Sequence, residues 1–208
     1  MSGSDTRALS RSLLDLCRMG KLTIATAESC TGGLVAGALT EIPGSSDVID
    51  RGFVTYSNDA KRAMLGVKAS TLDSFGAVSK EIATAMAVGA LERAGTDLAV
   101  AITGIAGPGG ATPGKPVGLV HFAVAARDGR LIHRECRFGA IGRSSVRQRS
   151  VIEALRMLME LARGPKPPAK IRRESVNRLR PRAARAPLRR AAKRRGTTAP
   201  LKPSPKKT

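Results

Sequence analysis

Apolar residues recur at helical spacing in several segments of the first 163 residues, and these segments predict the helices. The first predicted helix covers 5–19 and ends at Gly20, and the last covers about 143–163. Between them, helices are predicted from Gly33 to about Thr40, from Asn58 to Gly66, and from a Ser79 cap to Gly95. The last helix has a mostly apolar face, formed by Val146, Ser150, Ile152, Leu155, Leu158 and Leu161.

Short apolar runs between these segments predict five strands, over 21–27, 51–57, 96–104, 117–127 and 130–138. The dipeptide Asp128–Gly129 predicts a hairpin turn between the last two strands. The segment 70–79 is predicted to be a connecting segment. This order of elements predicts a three-layer α/β/α domain with a mixed, mostly parallel sheet.

The charge of the chain is concentrated at its C-terminal end. Residues 164–208 hold 16 Lys or Arg and one acid, a charge of +15 out of the formal +20 of all 208 residues. This segment is rich in Pro, Arg, Lys and Ala and has few large apolar residues, so it is predicted to be disordered. We therefore expect a near-neutral domain over 5–163 followed by a basic tail over 164–208.

The three cysteines and the apolar runs indicate a cytoplasmic protein. The cysteines are odd in number and widely spaced, which argues against a disulfide framework or a zinc site. The N-terminus "MSGSDTRALS" has no apolar core, so a signal peptide is not expected. No apolar run approaches the roughly 18 residues of a membrane span.

The stretch "TIATAESCTGG", residues 23–33, changes from a strand into a polar, glycine-rich turn before a helix. Backbone N–H groups are unpaired at a helix start and attract negative charge, so Ser29 could be a nucleophile beside an oxyanion site. Alternatively, Ser29 or Thr31 could be only the helix N-cap. Gly32 and Gly33 would allow a ligand to approach the backbone closely.

A serine nucleophile needs a base, and Lys61 is the better of the candidates. It follows the strand end "TYSNDAK" and could face Ser29 across neighbouring strand ends, where burial would favour its neutral form. A solvated helix lysine is the simpler alternative. His121 and His133 lie in the predicted hairpin and are expected to be structural. Cys30 is a weaker alternative nucleophile.

Two further features could bind a phosphate. The loop "TGIAGPGG", residues 103–110, follows a strand but matches neither a P-loop nor a dinucleotide-binding motif. Its amides could line a phosphate or ribose pocket, or it could be a surface loop. Arg143 and Arg147 lie four apart at the start of the last helix, which suits either a phosphate or plain surface charge.

Four blocks follow one another in this chain: "TIATAESCTGGLVAGALTEIPGSSDVIDRGFVTYSNDAKRAMLGV", "GAVSKEIATAMAVGAL", "AITGIAGPGG" and "KPVGLVHFAVA". In this order they resemble the competence-damage-inducible protein family, specifically its C-terminal nicotinamide-nucleotide amidase domain. The resemblance covers about residues 8–162 and implies a stand-alone domain, because the molybdopterin-binding-like domain of longer relatives does not precede it.

The resemblance implies hydrolysis of nicotinamide mononucleotide (NMN) to nicotinate mononucleotide and ammonia, without metal or cofactor. Ser29 would be the nucleophile and Lys61 its base, with Tyr56 and Thr103 in the same pocket. The substrate-binding set would comprise Glu28, which could offset the pyridinium charge, and Thr31, Gly32, Gly33, Asn58, Gly104, Gly107, Gly109 and Arg143. A homo-oligomer is also implied.

Two features depart from the family pattern. "AIGRSSVR" lacks the acid of the usual Gly-Asp-Arg before the last helix, so any ion pair of that acid is lost, and the basic tail is additional. The competing hypothesis is a nucleic-acid-associated protein with a degenerate amidase domain. A tail of +15 would bind phosphate backbones weakly and without sequence preference.

Overall fold

The computed structural model describes residues 3–164 as one α/β domain. Its helices are α1 (Gly3–Gly20), α2 (Leu34–Thr40), α3 (Asn58–Leu65), α4 (Ala69–Phe75), α5 (Lys80–Ala94) and α6 (Arg143–Arg163). Its strands are β1 (Ile24–Glu28), β2 (Ile49–Val54), β3 (Leu98–Gly104), β4 (Leu119–Ala126) and β5 (Leu131–Arg137). A 3-10 turn covers Ser45–Asp47. The predicted disorder of the tail concerns residues outside this described range.

The five strands form one sheet in the order β2-β1-β3-β4-β5. β1 runs parallel to both β2 and β3, whereas β4 is antiparallel to its neighbours β3 and β5. The predicted mixed sheet is therefore confirmed, with its parallel part at β2, β1 and β3. The hairpin turn at Asp128–Gly129 is also confirmed, and Gly129 takes the left-handed φ of 94° that such a turn requires.

The two faces of the sheet are lined by side chains of different size. The face towards α1, α2 and α6 carries Ile24, Val100, Ile102, Val120, Phe122 and Val124. The face towards α5 carries alanines at six positions of the same strands, Ala25, Ala27, Ala99, Ala101, Ala123 and Ala125. Small side chains let α5 pack close to the strands, and two separate cores result. The predicted three-layer architecture is confirmed.

α5 and α3 also approach each other closely. A Cβ at Gly89 of α5 would lie 2.0 Å from the carbonyl oxygen of Leu65, the last residue of α3. No side chain fits there, so Gly89 is needed for this contact. The contact matters for the site because α3 carries Lys61.

The predicted helices are confirmed to within a few residues at their ends, including the Ser79 cap, whose side chain accepts a hydrogen bond from the Ile82 N–H. The predicted connecting segment over 70–79 is wrong, because Ala69–Phe75 forms α4. This helix is too short to show a helical period, and it buries Leu72 as its one fully covered side chain. β2 begins two residues earlier than predicted, because its pairing with β1 starts at Ile49.

The fold brings three chain segments to one edge of the sheet. β1 and β3 end there with Glu28 and Gly104, and β2 ends beside Glu28 before the chain turns into α3. Carboxyl ends of parallel strands are the usual place for functional groups in open α/β sheets. None of the helices within residues 3–164 is long and apolar enough to cross a membrane.

Candidate active site

The turn after β1 holds Ser29 at the edge of the sheet. The Ser29 N–H donates to the Ile102 carbonyl of β3 at 3.0 Å, and the Gly32 N–H donates back to the Ser29 carbonyl at 3.1 Å. Gly32 and Gly33 have φ angles of 61° and 96°, which side chains disfavour. The two glycines thus permit the sharp turn between β1 and α2. Ser29 is the first residue of this turn and is 9 % exposed.

The start of α2 is capped by Glu28 and by neither Ser29 nor Thr31, so the N-cap prediction is wrong. The buried Glu28 carboxylate accepts hydrogen bonds from the N–H groups of Gly33 (3.0 Å), Val35 (3.1 Å) and Ala36 (2.9 Å). It also accepts one from the Thr26 hydroxyl at 3.3 Å. A negative charge at a helix start is stabilised by the helix dipole.

This role also corrects the expectation that Glu28 faces the substrate. The side chain is fully buried, and both its oxygens are occupied by donors of β1, the turn and α2. Thr31 is fully buried too, and its hydroxyl has no hydrogen-bond partner in the part of the chain that the structure describes. Both residues therefore lie beneath the turn.

Lys61 reaches Ser29 from α3. Its Nζ lies 3.2 Å from the Ser29 Oγ, and it donates to the carbonyls of Thr55 at 2.8 Å and Tyr56 at 3.5 Å. Lys61 is 1 % exposed, and no carboxylate lies within 4 Å of its Nζ among residues 3–164. Burial lowers the pKa of Lys61, because removal from water penalises the ammonium form. The structure thus gives Ser29 a basic neighbour.

Cys30, the alternative nucleophile, has the opposite environment. It is 6 % exposed, and burial raises the pKa of its thiol to about 12. Nearby Glu28 raises this pKa further, although Arg147 and Lys61 act against that effect. Only a thiolate is a strong nucleophile, so Cys30 is unsuited to attack at neutral pH.

Tyr56, whose carbonyl lies 3.5 Å from the Lys61 Nζ, also contacts Arg143. Arg143 begins α6, and its guanidinium donates to the Tyr56 hydroxyl at 3.0 Å and to the Gly107 carbonyl at 3.1 Å. Tyr56 is 61 % exposed, and Asn58 is exposed at the first position of α3. These contacts join the segment after β2, the glycine-rich loop and α6 into one rim next to Lys61.

Thr103 lies beside the turn on β3. It follows Ile102, whose carbonyl accepts the Ser29 N–H, and its own hydroxyl donates to the Ala77 carbonyl at 2.7 Å. Thr103 is 1 % exposed, and its closeness to the turn follows from the backbone, because its hydroxyl is directed at Ala77.

The predicted glycines of the loop differ in whether packing or backbone conformation excludes a side chain at their position. A Cβ at Gly104 would lie 2.8 Å from the Leu119 carbonyl oxygen, and one at Gly107 would lie 2.7 Å from the Val117 side chain. Gly107 also has a φ of 83°. By contrast, a Cβ at Gly109 would meet nothing within 4 Å, so neither packing nor a left-handed φ explains that glycine.

The two arginines of α6 do not form one clamp, although their spacing suggested it. Arg143 points to Tyr56 and Gly107, whereas the Nη2 of Arg147 donates to the Thr31 carbonyl at 2.8 Å. The four-residue spacing puts both side chains near one face, but each binds a different segment. Sequence reasoning missed this contact of Arg147, because its partner is a backbone carbonyl more than a hundred residues away.

The two histidines are hydrogen-bonded to each other and not to Ser29. The Nδ1 of His121 lies 3.1 Å from the Nε2 of His133, and their rings are stacked between β4 and β5. Burial lowers the pKa of both imidazoles. Among residues 3–164, no group of three or more His, Cys, Asp or Glu side chains is arranged to hold a metal ion.

The fold and the site define a three-layer α/β domain with a buried serine–lysine pair at the carboxyl end of its parallel strands. The family model of the CinA C-terminal domain matches residues 6–162. The chain therefore belongs to the CinA C-terminal domain family.

Relatives with known sequences agree with this assignment. A CinA-like protein of Mycolicibacterium gilvum is 54% identical over 142 residues, which are 68% of this chain and 33% of that protein. The chain spans about a third of the length of several such CinA-like relatives. The nicotinamide-nucleotide amidohydrolase PncC of Enterobacter agglomerans is 50% identical over 132 residues, 64% of this chain and 80% of that protein.

Solved structures show the same fold. The competence/damage inducible protein CihA of Agrobacterium tumefaciens superposes with a TM-score of 0.75 at 57% identity, over 76% of this chain and 95% of that one. A CinA superfamily protein of Escherichia coli gives a TM-score of 0.73 at 36% identity, over 77% of this chain and 93% of that one.

Proposed function

We propose that this protein hydrolyses the carboxamide of NMN to nicotinate mononucleotide and ammonia, using Ser29 as nucleophile and Lys61 as its base. The observation that carries the proposal is the 3.2 Å approach of the buried Lys61 Nζ to the Ser29 Oγ. The substrate is suggested by the PncC relative, whose name states a nicotinamide-nucleotide amidohydrolase. Such an activity would return a pyridine nucleotide to nicotinate form.

The surroundings of Lys61 suit a neutral amine. A neutral amine has two N–H groups and one lone pair, and two backbone carbonyls accept from Lys61 at 2.8 and 3.5 Å. With both N–H groups directed at Thr55 and Tyr56, the lone pair is left for the Ser29 hydroxyl proton. The lowered pKa of Lys61 increases the fraction of this neutral form at neutral pH.

The turn supplies donors for the oxyanion. Of the four amides after Ser29, those of Gly32 and Gly33 already donate to the Ser29 carbonyl and to Glu28. The amides of Cys30 and Thr31 are left for the charge that develops on the carboxamide oxygen. In the proposal, Cys30 therefore contributes through its backbone and not through its thiol.

The reaction follows from these groups as two acyl transfers. Lys61 takes the Ser29 proton as Oγ attacks the carboxamide carbon, and the tetrahedral intermediate expels ammonia with the proton returned by Lys61. Water, deprotonated by Lys61, then attacks the ester and releases nicotinate mononucleotide and free Ser29. Thr103 lines the pocket beside Ser29.

The rim of the site offers groups for the rest of the nucleotide. Arg143 is exposed, carries a positive charge and is held by Tyr56 and Gly107, so a phosphate oxygen can add to its donors. Gly109 lies in the same loop as Gly107, and a Cβ built on it would meet no atom within 4 Å. We assign the phosphate to Arg143 and the loop, and the ribose to the neighbourhood of Asn58.

The direct test is turnover of NMN by the purified protein, followed through ammonia and nicotinate mononucleotide by mass spectrometry. Ser29→Ala is expected to lose at least about a thousandfold in kcat, since a nucleophile cannot be replaced by a methyl group. Ser70→Ala, an exposed serine of α4, is the matched control and should keep the wild-type rate. Wild-type turnover by Ser29→Ala would exclude the mechanism. Absence of turnover by the wild type would favour a degenerate domain.

We further propose that the basic tail gives the protein weak, non-specific affinity for nucleic acid. The supporting observation is its charge of +15 over residues 164–208, which lie beyond the family match at 6–162. Lys and Arg side chains that neutralise phosphates release counterions, so such binding falls steeply with salt. A cytoplasmic location and a homo-oligomeric state stay predictions.

A further inference from the structure

Arg147 contacts the turn that carries Ser29. Its Nη2 donates to the Thr31 carbonyl at 2.8 Å, and a Cβ on Gly32 would lie 3.3 Å from the same nitrogen. Its Nε is buried and has no hydrogen-bond partner within residues 3–164. The guanidinium therefore packs against the backbone of residues 31–32, whereas Arg143 contacts Tyr56 and Gly107.

The bond from Arg147 helps to fix a peptide group that is also fixed at its other end. The oxygen of the Thr31–Gly32 peptide accepts from Arg147 at 2.8 Å and from the Leu34 N–H at the longer distance of 3.4 Å, and the N–H of this peptide donates to the Ser29 carbonyl at 3.1 Å. Rotation of this peptide would break all three bonds. Its orientation thus determines how the turn closes on Ser29, and with it where the amides of Cys30 and Thr31 point.

The charge of Arg147 is not balanced by an ion pair in the described part of the chain. No carboxylate lies within 4 Å of its guanidinium there, whereas Arg134 on β5 pairs with Glu153 and with Glu160 of α6. Burying part of an unpaired cation costs free energy, so stability alone does not account for this arrangement. At the other end of the same turn, the Glu28 carboxylate accepts a hydrogen bond from the Gly33 N–H.

The geometry points to Arg147 as a positioning residue that orients Ser29 and the oxyanion-binding amides by holding the Thr31 carbonyl. This inference rests on the proposed function, because it concerns the groups that the proposed mechanism uses. It separates the two arginines of α6 by role. Arg143 would act on substrate binding, and Arg147 would act on the rate of the chemical step.

The test compares Arg147→Gln and Arg147→Lys with Arg149→Gln, an exposed arginine of the same helix. Two assays are run on folded protein. The first gives kcat and KM for NMN. The second gives the second-order rate constant for labelling of Ser29 by a fluorophosphonate, with the labelled residue identified by peptide mass. Arg147→Gln should lower kcat and the labelling rate about 100-fold with little change in KM, because a misplaced reactive group costs about that much. Arg147→Lys should lose less, since its ammonium can still donate to Thr31. Arg149→Gln should match the wild type.

The outcomes separate this inference from the proposed function. Wild-type kcat and labelling rates in both Arg147 variants would overturn the inference and leave Ser29 as nucleophile. A rise in KM alone would make Arg147 a substrate-binding residue and would also overturn it. Wild-type protein that is never labelled at Ser29 and does not hydrolyse NMN would overturn the proposed function, and the inference with it. If Arg147→Gln does not fold, Arg147→Lys decides by the same measurements: lower kcat and labelling rates at unchanged KM support the inference, and wild-type rates overturn it.

Discussion

At the scale of single residues, the site depends on a lysine whose side chain is buried away from solvent. Lys61 is the one charged side chain of Lys or Arg among the largest fully buried side chains of the described domain, and its charged form has no acid within 4 Å there. Its pKa is lowered for that reason, so the neutral amine gains population as pH rises through the lowered value. Activity that depends on this amine should therefore rise with pH over the same range.

Sequence could nominate and rank these residues but could not show their surroundings. Ser29 and Lys61 follow the ends of predicted strands, which suffices to expect them near each other. Nothing local distinguishes Ser29 from Cys30, because both lie in the turn, and the difference in burial emerges only from packing. The carbonyls of Thr55 and Tyr56 that hold the lysine have no signature in the sequence at all.

At the scale of elements, the junction of β1 and α2 is held by an unexpected cap. Glu28 is the last residue of β1, and its side chain folds beneath the turn to accept three backbone N–H groups. A conventional cap is a short side chain next to the helix, which is why Ser29 and Thr31 were the natural candidates. A cap from a residue five positions before Gly33 needs the two left-handed glycines, and no simple rule predicts it.

Glu28→Gln tests this cap. A glutamine keeps the shape but replaces one acceptor oxygen by an NH2 group that faces backbone donors, so the expected loss of unfolding free energy is about 2–4 kcal/mol. The measurement is urea unfolding followed by circular dichroism. Glu41→Gln, at the exposed C-terminal end of the same helix, should change stability by less than about 0.5 kcal/mol. Equal midpoints for the two variants would show that the Glu28 charge does not stabilise the junction.

The remaining elements were predictable where they are long or clearly capped. α1, α5 and α6 have helical periods or a Ser79 cap, and the hairpin has its Asp128–Gly129 turn. α4 was missed because seven residues show too little periodicity. The alanines of the sheet are recognisable as apolar positions in the sequence. That they share one face and let α5 pack closely is known only from the pairing register of the strands.

At the scale of the whole molecule, a near-neutral domain precedes a strongly basic segment. Residues 1–163 hold 20 Lys or Arg and 15 acids, whereas residues 164–208 hold 16 Lys or Arg and one acid. The family match ends at residue 162. The two parts are therefore expected to act separately, the first on a small substrate and the second on a polyanion.

A chain ending at Gly164 tests this separation. NMN turnover should stay within about twofold of the full chain, because every proposed catalytic and binding residue lies in the retained part. Retention on duplex DNA, measured by fluorescence anisotropy, should vanish, and for the full chain it should weaken steeply between 50 and 200 mM salt. DNA binding that survives the truncation would place the nucleic-acid surface on the domain, and loss of turnover would make the tail part of the active enzyme.

The most direct measurement of the central claim is the rate of ammonia release from NMN by Lys61→Met. Methionine fills the buried volume but cannot accept a proton, so kcat should fall by about 10²–10⁴-fold, the contribution of a positioned general base. Lys68→Met, an exposed lysine beside α4, should keep the wild-type rate and the rise with pH. Folded Lys61→Met protein that releases ammonia at the wild-type rate would contradict the serine–lysine mechanism.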